Sequence, residues 1–126
     1  MTFKERYAIL LEGKLVSPES IRITDEIIGL IERQYHVKLD ESNGASIVTH
    51  LAVTLKKILS NEPLTDIPEV CLAEALSYKA EMDFAKVLVQ HLHESHQIEL
   101  NLSETAFLAV HLKNICRLME KEVEKK

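Results

Sequence analysis

The sequence predicts an all-α fold, and three observations carry the prediction. Leu, Ile, Glu, Lys and Ala abound in a chain of 126 residues with only three glycines, three prolines and 5% aromatic residues, a mixture that favours helices over strands. Apolar residues recur at intervals of three and four in successive segments, as on a helix buried along one side. Serines stand just ahead of several of these segments, at 17, 42 and 103, where a helix start needs a side-chain oxygen for its first backbone donors.

Each element follows from this pattern. A short N-terminal helix, about Phe3 to Leu11, is expected to end at Glu12-Gly13, because glycine takes the left-handed cap conformation without strain. Ser17 caps the next, Pro18 suits its first turn, and Ile27, Ile28, Ile31 and Tyr35 carry it to about His36. A third starts at Ser42, buries Ile47, Val48, Leu51, Leu55, Ile58 and Leu59, and stops before Asn61 to Asp66. A shorter helix, about Pro68 to Lys79, carries Val70, Ala73 and Leu76. The fifth, about Glu81 to His96, carries Phe84, Val87, Leu88 and Leu92. The last begins at the cap Ser103 and runs through Phe107, Leu108, Ile115 and Leu118 into KEVEKK, read as a frayed, charged tail. The expected organisation is an N-terminal extension (1–16), one domain (17–120) and the tail (121–126), a size that supports a single core.

Charge and composition narrow the function. Fifteen Lys and Arg against 20 Asp and Glu give a net charge of -5, with the basic residues scattered. Phosphate neutralisation needs clustered positive charge, so direct nucleic-acid binding is disfavoured. Cys71 and Cys116 lie in helical regions outside any CxxC pair, as reduced buried thiols do. MTFKERYAILLEGK lacks the apolar core of a signal peptide, and nothing approaches a membrane-spanning length, so a soluble cytoplasmic protein is expected. Gly-rich phosphate loops and GxSxG are absent, and Asp40-Glu41 falls in a loop where solvation is the default. Neither an enzymatic activity nor a cofactor is expected.

The chain also repeats itself. VKLDESNGASIVTHLAVT (Val37 to Thr54) aligns without gaps on IELNLSETAFLAVHLKNI (Ile98 to Ile115) at an offset of 61, with five of 18 pairs identical, among them Ser42 with Ser103 and His50 with His111. Upstream, Ile27, Ile28 and Ile31 fall against Leu88, Val89 and Leu92. Each half thus reads as a helical hairpin with a histidine at the eighth position past its serine, and two such hairpins packed face to face make one closed core.

At 100° per residue His50 falls on the shoulder of its apolar face, beside Thr54 and Lys57 and one turn from Ser46. His111 lies inside the apolar arc of Phe107, Leu108 and Ile115, either as a core histidine or on a surface where another domain docks. A lone histidine in an apolar helix is usually structural. Two in matched register favour a function.

At these residues the chain resembles the PTS regulation domain (PRD), the sensor module of bacterial transcription antiterminators and activators controlled by the sugar phosphotransferase system. The paired hairpins, the histidine in THLA, and IELNLSETAFLAVHLKN with Glu104 seven residues before His111 carry the resemblance, over about Ser17 to Met119. In the first half Thr49, Lys56 and Lys57 stand where the commoner pattern has an aspartate before the histidine and an arginine after it. The resemblance implies a bundle of five helices, two antiparallel hairpins plus a short crossing helix at about Pro68 to Lys79, with the N-terminal segment outside it. It implies His50 and His111 as phosphoacceptors, supported by Thr54, Lys57 and Glu104. The implied donors are the phosphocarrier HPr and the sugar-specific IIB components, and the implied assembly is a homodimer. An unprotonated imidazole is nucleophilic near neutral pH and can hold a phosphoryl group reversibly. With no RNA-binding, helix-turn-helix or ATPase segment in view, a stand-alone PRD is expected.

Two alternatives stay open. One is a helical interaction module whose histidines are never phosphorylated. The other is a metal site at HLHESH, His91 to His96, where His93 and His96 are neighbours but His91 and His93 point some 200° apart, so Cys71, Cys116 or acidic groups would have to complete it.

Overall fold

The computed structural model describes residues 1–64 and 69–124, with side chains for 1–64 and 72–120. Helices α1 (Phe3–Glu12), α2 (Pro18–Tyr35) and α3 (Glu41–Leu59) form a first compact unit. A second comprises α4 (Glu69–Leu76), α5 (Lys79–His96) and α6 (Leu102–Glu124). No strand occurs among the described residues, so the all-α expectation is borne out.

In the first unit α2 begins as its sequence dictates. Ser17 accepts from the Ser20 backbone N–H, the Ser20 hydroxyl accepts in return from the Ser17 N–H, and Pro18 needs no donor partner in the first turn. Ile23, Ile27, Ile28 and Ile31 then fall on one buried stripe. The buried Thr24 hydroxyl donates to the Ser20 carbonyl at 2.7 Å, which removes the cost of burying it. His36 stops the helix in the left-handed conformation (φ 53°, ψ 47°), and α3 returns to pack Ile47, Val48, Leu51 and Leu55 against α2. Burying each such side chain contributes about 1.5–3 kcal/mol.

Helix α1, expected outside the bundle, is seated on α3. Gly44 makes the room: a Cβ there would stand 3.0 Å from Cζ of Phe3. Tyr7 and Leu10 are buried, and the Tyr7 hydroxyl donates to Asp25 of α2 at 2.8 Å. Burial, followed by that bond to a carboxylate, pushes the Tyr7 pKa far above its usual value.

In the second unit α5 buries Met82, Ala85, Leu88 and Leu92, and Gln97 stops it in the left-handed conformation (φ 54°, ψ 35°). Helix α6 returns with Ala106, Leu108, Ala109, Leu112 and Ile115 buried. Helix α4 packs on α6 and α5. Tyr78, at the α4–α5 turn, donates to Glu74 and accepts from Arg117 of α6 at 3.0 Å, with the Lys113 and Arg117 cations 5.6 and 5.5 Å from its ring centre.

Several boundaries differ from expectation. The caps of α3 and α6 are Asp40 and Asn101, two residues before the serines assigned that role, because Asp and Asn cap as well as Ser. Helix α4 ends at Leu76 and α5 begins at Lys79, while α6 stays helical to Glu124, into the expected tail. Among the described side chains of α4 Ala75 is buried and Leu76 exposed, and Val87 and Leu118 are exposed too. The expected start at Pro68 lies outside the described residues, as do the side chains of Val70 and Cys71.

Candidate functional site

His50 and His111 are each the tenth residue of their helices, counted from Glu41 and Leu102. What fixes this register is the turn before each helix. Asp40 accepts from the Ser42 N–H at 2.8 Å and donates its own N–H to Asn43. The hydroxyl and backbone N–H of Ser42 hold the Asp40 carboxyl below its usual range. At the equivalent place Asn101 accepts from the Glu104 N–H at 2.9 Å, and Thr105 donates its hydroxyl to the Asn101 carbonyl.

The two rings have different surroundings. His50 is half-buried, and its Nε2 lies 3.5 Å from the hydroxyl of Thr54, itself only 5% exposed. Thr54 therefore stands against the histidine, as its spacing suggested. Lys57 is half-buried a turn further on, while Lys56 is engaged with Glu62 at 2.6 Å. His111 is half-buried too, but its Nε2 is shut off from solvent and its ring packs on Phe107, with centroids 4.6 Å apart. That nitrogen can meet a phosphoryl donor only if its surroundings open. Glu104 is 4% exposed in the first turn of α6. Seven residues return nearly to the same side of a helix, so it shares a stripe with His111, about 10 Å away along the axis.

One residue was missed by sequence reasoning. Arg6 of α1 donates Nε and Nη2 to the two carboxylate oxygens of Glu41, each at 2.8 Å, and Nη1 to the Thr49 hydroxyl at 3.1 Å. This fork holds Glu41 below its usual pKa and raises that of Arg6. The partners lie 35 and 43 residues away, so no local spacing announced them.

In HLHESH the rings of His91 and His96 meet edge to face at 6.2 Å. His93 instead pairs with Glu99 at 2.6 Å beyond the helix end. The ring contact joins His91 with His96, while His93 is engaged with Glu99.

Among the described residues no helix is long and apolar enough to cross a membrane. The family model of the PRD domain matches residues 25–115, well over half of the chain, a span that contains both histidines and begins after α1. No curated protein and no solved structure matches the chain at a significant level.

Proposed function

The chain is a member of the PRD family, a type of domain that serves phosphotransferase-system regulation, and from that premise we propose that it accepts phosphoryl groups on His50 and His111. The observation that carries the reading is the duplicated hairpin, with a histidine at the same position of the second helix in each copy. Such an acceptor needs only a nucleophilic imidazole and a docking surface, since the catalytic groups can belong to the donor. The half-buried His50 beside Thr54 suits a visiting protein donor, HPr or a IIB component.

Phosphorylation adds close to two negative charges. At His50 the cations of the same helix face are near enough in sequence to respond, Lys57 above all. In the α6 hairpin the buried Glu104 carboxylate shares the histidine's stripe and opposes a second charge there. The charge thereby alters how helices or subunits pack, and a shift in a homodimer equilibrium is the expected output. Acting through that packing, the protein regulates transcription by binding another protein in the cytoplasm, without an enzymatic activity of its own.

Incubation with phosphorylated HPr and IIB, followed by mass spectrometry under conditions that preserve phosphohistidine, is expected to show added phosphate. His50→Asn and His111→Asn should each remove their own share. No increment from any donor overturns the reading in favour of an unphosphorylated interaction module.

A further inference from the structure

The residue before the first-half histidine, Thr49, is held by a partner that its counterpart Val110 has no hydroxyl to bind. Around α3, Thr49 and His50 stand about 100° apart. Arg6 occupies the Thr49 side through its bond to that hydroxyl, while its fork to Glu41 spans two turns of the same flank. Phe3 fills the space above Gly44 on the same helix. In the second half Glu41, Gly44 and Thr49 are replaced by Leu102, Thr105 and Val110. None of these three replacements keeps the group that takes part in the clasp: Leu102 has no carboxylate, Thr105 fills the glycine position and Val110 has no hydroxyl.

We propose that Arg6 is a positioning residue for His50: by fastening α1 along the Glu41–Thr49 flank it fixes the helix surface on which the donor meets that ring. This rests on the reading of His50 as a phosphoacceptor. Its physical basis is that the clasp is polar and directional. A bidentate guanidinium–carboxylate pair sets orientation as well as proximity, which a greasy contact does not. Arg6 is 28% exposed and Glu41 17%, so the pair is partly shielded from water and holds its geometry, with Thr49 as its link to the residue next to His50. His111 lies in the other unit, where Val110 replaces Thr49, and is not subject to it.

The test uses the full chain and follows phosphate at His50 and His111 separately, with phosphorylated HPr and with phosphorylated IIB. Arg6→Gln removes the fork, Phe3→Ala loosens α1 without touching a charge, and Arg6→Lys keeps the charge but not the fork. We expect Arg6→Gln and Phe3→Ala to slow acceptance at His50 by about tenfold, the scale of effect a small misplacement has on a transfer reaction. Arg6→Lys should recover part of that loss, and His111 should be unaffected. Unchanged acceptance at His50 overturns the proposal, as does an equal loss at both histidines, which would report general destabilisation. Imidazole NMR signals give a second readout: Arg6→Gln should move those of His50 and leave those of His111. If the unaltered protein takes no phosphate at His50, the acceptor reading falls by itself, and unmoved His50 signals would then dismiss the clasp as well.

Discussion

Residues 36 and 97, 61 positions apart, both stop a helix in the left-handed conformation, and four residues later Asp40 and Asn101 both start the next one with a side-chain cap. Across each turn a surface pair is also kept, with the acidic partner moved to the other side. Glu32 meets Lys38 at 3.8 Å in the first hairpin, and His93 meets Glu99 at 2.6 Å in the second. The flanking helices also correspond in place, since α1 packs on α3 as α4 packs on α6. They are fastened by unlike chemistry, a guanidinium fork to Glu41 in one unit and a tyrosine between two cations in the other. The comparison teaches that the duplication preserved the backbone geometry of the turns and most of the buried positions, and left the attachments of the outer helices to diverge.

The largest effect should come from the core of each unit. Leu51 and Leu112 are equivalent and essentially buried, at 2% and 0% exposure. Truncation to Ala removes apolar contact and leaves a cavity, so each should cost about 2–5 kcal/mol in denaturant unfolding. Similar losses would show that the two hairpins carry comparable weight. A loss confined to one unit would break the equivalence at its centre.

The caps should differ in pH dependence. Asp40→Ala and Asn101→Ala should each cost about 1 kcal/mol at neutral pH. Asp40 and its neighbour Glu41 both have folded pKa values below their ordinary 3.8 and 4.5. A depressed carboxylate contributes stability that is present above the ordinary value and lost as pH falls through the folded one. Amide protection factors in the first turn of α3, with the intrinsic pH dependence of exchange divided out, should therefore fall on acidification below about pH 4.5, more than in α6, where neutral Asn101 and Leu102 stand in place of the two depressed carboxylates. Equal acid responses of the two turns would remove the distinction.

Most of the helical plan was legible because it depends on local periodicity. The repeat was legible because buried positions such as Ile47 and Leu108 admit few side chains. The caps were misassigned for a physical reason: Ser42 and Ser103 are identical and conspicuous, yet Asp40 and Asn101, unlike in charge, do the same work two residues earlier. The candidate site was legible where one helix contains it, as with His50 and Thr54, or Glu104 and His111. It was illegible where contacts join distant segments. Arg6 reads as an ordinary charge on a short helix, and only the fold brings it to Glu41 and Thr49.

The smallest effect concerns the left-handed residues themselves. A side chain with a Cβ in this conformation costs roughly 1–2 kcal/mol relative to the right-handed one. Glycine avoids that cost but adds about 0.5–1 kcal/mol of unfolded-state entropy to be lost on folding. His36→Gly and Gln97→Gly should therefore each stabilise the protein by about 0.5–1 kcal/mol. Their side chains are exposed, so little packing is given up in exchange. Thermal unfolding of the two single variants and the double variant checks this, and gains that add would mark two independent turns of one design. If His36→Gly destabilises while Gln97→Gly does not, the imidazole of His36 has a role that the duplication did not copy.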